Sequence, residues 1–277
     1  MSDLIAKDRA VSRTDKDAAQ RPPLPGTHPK GVRDEKEASQ RVREMFGRIA
    51  PRYDFLNHLL SFSLDRLWRR RTAQRFLHIL RRPGACILDL CCGTGDLTLA
   101  LERARRRSLR APPASAESVL GSDFARPMLE RAAGKAASER SHTKFLAADA
   151  LALPFADASF DLVTAAFGFR NLANYKQGLR EISRVLRPGG EIGILEFSEP
   201  RRWPLAPLYR FYFRTILPSV GGAISGSPDA YSYLPASVGK FPSPDELAAL
   251  MDDAGFAAVR YELWTGGIVA LHSGRRA

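Results

Sequence analysis

The sequence predicts an α/β fold: a doubly wound, mostly parallel seven-stranded sheet with an antiparallel last strand and amino-terminal helices. Three observations predict it. From Cys86 onward, short apolar segments alternate with segments of helical periodicity, the rhythm of a parallel sheet with helices on both faces. The first apolar segment ends in a glycine-rich turn that opens a helix, the place where open α/β sheets bind ligands. Two strand-like segments close the chain and read as a hairpin.

The elements follow in order. Residues 1–38 read as a disordered lead, with mixed charges, the run Arg21-Pro22-Pro23-Leu24-Pro25-Gly26 and almost no apolar periodicity. Residues 39–277 read as one domain. Its first part, 39–82, is helical: Val42, Met45, Phe46 and Ile49 recur at helix spacing, Pro51 breaks the pattern, and a second helix runs from about Ser63 to Leu80. Strands are expected at Cys86–Cys91, Ser118–Asp123, Lys144–Asp149, Phe160–Ala166 and Glu191–Phe197. Helices are expected from Leu97 to Arg105, after Asp123 through Met128, and before Leu186, where Arg187-Pro188-Gly189-Gly190 makes a turn. Residues 105–117 read as a polar insertion, and 198–242, rich in Tyr and Phe among prolines and glycines, as a lid or substrate segment. A helix Pro244–Ala254 and strands Val259–Leu263 and Gly267–His272 end the chain.

Composition bounds the function. The net charge is +12, and residues 41–82 alone hold eleven arginines against Glu44, Asp54 and Asp65. Such an excess suggests an anionic partner; a genome that favours arginine codons is the plain alternative. The three cysteines, Cys86, Cys91 and Cys92, crowd together in odd number, so they form no disulfide framework and fit a reducing, cytoplasmic setting. No apolar run is long enough to span a membrane as a helix, and no metal-ligand pattern accompanies the cysteines.

The chemistry begins at Asp89-Leu90-Cys91-Cys92-Gly93-Thr94-Gly95-Asp96. Glycines let backbone approach a ligand closely. A dinucleotide fingerprint wants a third small residue and room for pyrophosphate at the helix start. Here Thr98 holds the third position, and Asp89 and Asp96 put carboxylates beside the loop. Two acids suit a cation, and S-adenosylmethionine offers a sulfonium, an ammonium and no phosphate. Asp123, ending the second strand, is placed to accept from ribose hydroxyls. Asp149, ending the third and followed by Ala150, is placed for the adenine amino group. Helix N-capping is the competing role for both acids.

These residues resemble the class I S-adenosylmethionine-dependent methyltransferases, a Rossmann-like fold. Further motifs narrow the likeness: Phe46-Gly47-Arg48-Ile49-Ala50-Pro51-Arg52-Tyr53-Asp54-Phe55-Leu56-Asn57, Phe167-Gly168-Phe169-Arg170-Asn171-Leu172, Leu195-Glu196-Phe197-Ser198-Glu199-Pro200 and Thr265-Gly266-Gly267-Ile268-Val269-Ala270-Leu271-His272. With these the chain resembles the menaquinone/ubiquinone biosynthesis C-methyltransferases (the UbiE/MenG type) over about residues 42–275. Phe169 and Ala166 depart from the usual residues there, and the double cysteine leans toward the menaquinone-type members.

The resemblance implies cofactor contacts at Thr94, Asp123, Asp149 and Ala150, beside the Asp89, Gly93 and Gly95 of the loop. It implies methyl transfer from S-adenosylmethionine to a ring carbon of a polyprenyl quinol, demethylmenaquinol ahead of a benzoquinol of ubiquinone biosynthesis. The expected catalytic set is Arg170 on the phenolate, Asn171 positioning the same group, and Tyr53, Asp54 and Asn57 folding over the pocket. A surface salt bridge competes for Arg170, and helix capping for the other three. His58 and His272 are nominal bases. The tail implies an apolar groove, for which Leu208–Leu217 is the candidate, and transient contact of the Arg-rich face of residues 66–82 with an anionic membrane surface. No nucleic acid is expected: an RNA methyltransferase would need an Asn/Asp-Pro-Pro-Tyr tetrapeptide where this chain reads Phe167-Gly168-Phe169-Arg170. A non-catalytic binding module is at odds with the intact loop. The sequence leaves open whether the chain forms a homo-oligomer.

Overall fold

The computed structural model describes residues 34–109, 119–200 and 228–277, with Gly26, Thr27, Pro29, Val32, Pro207, Tyr209, Phe211, Tyr212 and Thr215. Most of the expected lead, the greater part of the 105–117 insertion and much of 198–242 lie outside the described residues.

Helix α1 spans Glu35–Leu60. Asp34 caps it, its carboxylate accepting from the Glu37 N–H at 2.8 Å, and Glu35 and Glu37 oppose the helix dipole in the first turn. The helix runs through Pro51, a correction to the expected break. Proline inside a helix costs roughly 3 kcal/mol. Here the apolar stripe Val42, Met45, Ile49 and Ala50 is buried up to that point, and packing outweighs the local preference. Phe62 and Ser63 then turn the chain in left-handed conformation into α2 (Leu64–Arg75) and the short α3 (Leu77–Leu80). The second helix is therefore split, at the fully buried Phe76.

The sheet comprises β1 (Ile87–Leu90), β2 (Val119–Asp123), β3 (Lys144–Ala147), β4 (Phe160–Ala166), β5 (Leu186–Phe197), β6 (Phe256–Trp264) and β7 (Val269–Arg276), in the order β3-β2-β1-β4-β5-β7-β6. Strands β1 to β5 are parallel and β7 is antiparallel to both neighbours. The expected turn at Arg187–Gly190 lies within β5 as an irregularity: Leu186 pairs with Phe160, yet Glu191 already pairs with Leu162. Asp149 falls beyond β3, in an isolated bridge to Ala152.

Four helices complete the layers: α4 (Asp96–Ser108), α5 (Arg126–Ser138), α6 (Tyr175–Val185) and, after α7 (Pro228–Lys240), α8 (Pro244–Asp253). Helix α5 runs well past Met128, because Met128, Leu129, Ala132 and Ala136 continue a buried stripe. Helix α4 runs past the expected end at Arg105 to Ser108, and Arg105 is buried, its guanidinium donating to the Leu80 carbonyl at 3.2 Å. One core cluster joins the sheet to α6 and α8 through Leu179, Ile182, Leu247 and Met251. The other joins it to α2, α3 and α4 through Trp68, Phe76, Leu80 and Leu101. Connections leave β1 toward β2 on one side, and β4 lies on the other. The strand order therefore reverses between β1 and β4, which opens a crevice at their carboxyl ends.

Candidate active site

A cleft opens at this crevice, the place where open α/β sheets bind their ligands. Every strand around the switch point contributes its end: Cys91 and Gly93 after β1, Asp123 and Phe124 after β2, Ala148 to Leu151 after β3, Phe167, Gly168 and Asn171 after β4. Helix α1 supplies the outer wall with Ser39, Phe46 and Tyr53. Gly168 lies so close to Cys91 that a Cβ there would meet Cys91 Cβ at 2.4 Å, so glycine is what lets the two loops touch.

The loop after β1 is held from below. The Gly93 N–H donates to Asp123 Oδ2 at 2.9 Å, and the Ala125 N–H to Asp123 Oδ1 at 2.8 Å. Burial pushes the Asp123 carboxyl up, while these backbone donors pull it back. Asp149 accepts from the Leu151 N–H at 2.9 Å. Both acids therefore combine a turn-capping role with a place on the cleft wall. Gly93, Asp123, Asp149 and Ala150 line the cleft, as a cofactor set would.

Asp89, Thr94 and Gly95 are not among the residues that line the cleft. Asp89 is fully buried and accepts from Thr98 Oγ1 at 2.6 Å and Thr164 Oγ1 at 2.9 Å. Burial pushes its carboxyl up to about 7, against the pull of the two threonines. It faces the interior under the sheet and does not line the cleft. Gly95 starts α4 with φ +84°, and a Cβ there would crowd Ala132 and Phe145 at 3.1–3.2 Å. The Thr94 hydroxyl donates to Asp54 and accepts from Lys135 Nζ at 3.0 Å. Lys135 also pairs with Asp54 and Asp96, each at 2.7 Å. Burial pushes the Asp96 carboxyl up, but Arg69 and Lys135 more than reverse this, so it stays below the usual range. The charge of Asp96 is thus spent on this clasp between α1, α4 and α5, away from the cleft.

The expected catalytic residues divide. Arg170, on a short 3-10 turn, is buried, with Nη1 donating to Glu196 Oε2 at 3.0 Å and to the Phe167 carbonyl. Burial lowers its proton affinity, yet Glu196 more than restores it, so it stays charged. The expected surface pair is thus a buried one, with the guanidinium 5.6 Å over the Phe197 ring and Nε without a partner. Asn171 lines the cleft, and its Oδ1 accepts from Tyr233 of α7 at 3.1 Å. Tyr233 also bonds Thr27 at 2.9 Å. Burial raises the Tyr53 hydroxyl, which bonds Asn57 and feels the charges of Arg170 and Arg69. Asp54 turns away into the Lys135 clasp. His58 bonds Asp65 at 2.8 Å, and burial drives His272 down to about 4 while its Nε2 bonds the Pro244 carbonyl. Neither histidine lines the cleft.

His58, Asp65 and Asp96 come within ligand distance of one another, but Arg69 already pairs with both acids, so the cluster has its cation. Burial and the Asp123 and Asp89 carboxylates push the Cys91 and Cys92 thiols well up, which keeps them protonated.

Sequence reasoning missed Glu196, Tyr233 and Lys135. A carboxylate amid the apolar run Ile192–Phe197 was a legible sign, because a buried acid needs a partner. No local pattern marks Lys135.

Among the described residues, no lysine or arginine lines the cleft, while two carboxylates do. That donor set fits a cationic, phosphate-free adenosyl compound and disfavours a diphosphate. The sheet order and the cleft at its switch point are those of the class I methyltransferase fold. A solved S-adenosylmethionine-dependent methyltransferase from Aquifex aeolicus shares the fold at TM-score 0.50 and 16% identity, over 74% of this chain and 89% of that one. The sequence model of the ubiE/COQ5 methyltransferase family matches residues 34–276, and the chain belongs to that family. It is 51% identical, over 84% of its length and all of the relative's, to a protein of Thermus thermophilus named demethylmenaquinone methyltransferase. A Deinococcus radiodurans protein of the same name is 45% identical over 88% of this chain and 95% of its own.

Proposed function

We propose that the chain methylates a ring carbon of a polyprenylated naphthoquinol, demethylmenaquinol, in menaquinone biosynthesis. The carrying observation is a cleft at the switch point lined, among the described residues, by acids and no cationic side chain, in a chain whose relatives are named for this reaction.

S-adenosylmethionine supplies an electrophilic methyl group on a sulfonium. The ring carbon must supply the electron pair. An oxidised quinone is too electron-poor to do so. A quinol with one hydroxyl ionised pushes density onto the adjacent carbon, which forms the new carbon–carbon bond as the methyl–sulfur bond breaks. The ring proton then passes to water and aromaticity returns.

The chain's residues bind and orient. Asp123 accepts from ribose hydroxyls, Asp149 and Ala150 frame the adenine, and the Gly93 backbone admits the methionine part. Arg170 favours the phenolate. Buried behind Asn171 and outside the cleft wall, it acts with Glu196 as a fixed dipole on the phenolate rather than through a bond to the oxygen. Asn171, held by Tyr233, positions the same oxygen. Tyr53, steadied by Asn57, closes the cleft, and Asp54 pins α1 through Lys135. Alignment of this kind supplies several kcal/mol of a transfer barrier. The isoprenoid tail brings the enzyme to lipid, on the cytoplasmic side of the plasma membrane, with the Arg-rich face of residues 66–82 toward the headgroups.

Anaerobic turnover with a short-tail demethylnaphthoquinol tests the reading. Methylation of the quinol and not of the quinone is expected. Equal methylation of both, or none of the quinol, would contradict it.

A further inference from the structure

Six large apolar side chains are prominently exposed among the described residues, and Leu59, Phe62 and Leu67 gather where α1 turns into α2. Phe62 is 76% exposed and sits in left-handed conformation, φ +52°. A bulky residue adopts that backbone at a cost, and burial of its ring does not offset it. Among the described residues, the ring beside it is Tyr212, 5.9 Å away. On α2, the buried face carries Asp65, Trp68, Arg69 and Thr72. The outward face presents Arg66, Leu67, Arg70 and Gln74, with no acid.

The arginines along α2 and just past α3 differ in engagement. Arg69, Arg75 and Arg82 are paired with Asp65, Glu262 and Asp161, and Arg71 lies over Trp264. Arg66, Arg70 and Arg81 have no ion-pair partner among the described residues. They open onto a groove between α2 and α4. The acids of that groove are already taken: Asp54 and Asp96 by Lys135, Glu139 by Arg103.

We infer that the α1–α2 corner is a membrane-docking wedge, in which Leu59, Phe62 and Leu67 enter the interface of an anionic bilayer while Arg66 and Arg70 meet its phosphates. Aliphatic and aromatic tips beside unpaired cations, with no exposed acid between them, match acyl chains next to anionic headgroups. RNA would engage the arginines but has no use for exposed leucines. The inference rests on the quinol reading, which gives the enzyme a bilayer-dissolved substrate. Leu59 lies six residues, about 9 Å of helix, beyond Tyr53 on the cleft wall, so docking here brings the cleft close to the lipid.

The test is co-sedimentation of the full chain with vesicles of phosphatidylcholine alone or mixed with phosphatidylglycerol, at low and high salt. Binding to the anionic vesicles alone, weakening with salt, is expected. Arg66→Gln and Arg70→Gln should each weaken it about fivefold, and Phe62→Ser with Leu67→Ser about tenfold or more. All three variants should keep wild-type thermal unfolding and wild-type turnover on short-tail quinol in detergent. Equal binding to neutral vesicles, undiminished binding of the combined variant, or retention on RNA without vesicle binding would each overturn the wedge. A wild-type enzyme inactive on short-tail quinol in detergent would instead count against the quinol reading.

Discussion

Asp89 offers the sharpest physical test, because its ionisation is coupled to folding. Its carboxyl is raised from 3.8 to about 7 by burial, with two threonine hydroxyls as its partners. Between those values the native protein keeps a proton that the unfolded chain has lost. Stability therefore falls as pH rises through that window, and the deficit is complete above about 7. Each unit is worth about 1.4 kcal/mol, so the full effect is roughly 4 kcal/mol. Asp89→Asn removes the titration and keeps the shape; the threonine hydroxyls reorient to serve one amide oxygen and one amide nitrogen. Urea unfolding of both proteins at about pH 5 and about pH 8 should show the variant gaining roughly 3 kcal/mol on the wild type between the two. His272 pulls the opposite way, losing stability as pH falls below its ordinary value toward about 4, but it is common to both proteins and cancels. A gap between the two proteins that stays constant with pH would refute the reasoning. Loss of cofactor binding without any change in the pH profile would return Asp89 to the cleft.

Other consequences follow from the same geometry. Asp123→Ala leaves the Gly93 and Ala125 N–H groups unpaired and removes an acceptor of the cleft; cofactor affinity by calorimetry should fall about tenfold or more. Glu196→Ala strands the Arg170 charge in the interior and should destabilise by about 3–5 kcal/mol in urea unfolding, whereas pairing it with Arg170→Met should recover much of that loss. Gly168→Ala drives a methyl into Cys91 and should cost about 1–3 kcal/mol, read as a lowered thermal midpoint.

Much of the architecture was legible because it rests on local periodicity. Alternating apolar and helical segments specify parallel strands with helical crossovers, and the glycine-rich turn marks where the first crossover begins. Asp123 and Asp149 were legible as strand-end acids. Asp89 was not, since β1 is buried on both faces, and strand alternation alone does not say which face meets the cleft. Pro51 misled for a related reason. Its local preference is real, but a stripe of buried side chains from Val42 to Ala50 outweighs it. Lys135 and the Asp54–Thr94–Asp96 clasp join residues far apart in the chain, so no spacing reveals them. Arg105 looked like surface because arginine runs usually are; its place under Leu80 is a tertiary fact.

The central claim is that this chain carries a methyl group from S-adenosylmethionine to a quinol ring carbon. The most direct measurement is an anaerobic incubation of the purified protein with methyl-labelled S-adenosylmethionine and host extract separated into lipid and RNA. Label in a lipid that comigrates with menaquinone is the expected result. Label in RNA, with none in the lipid, would contradict the account.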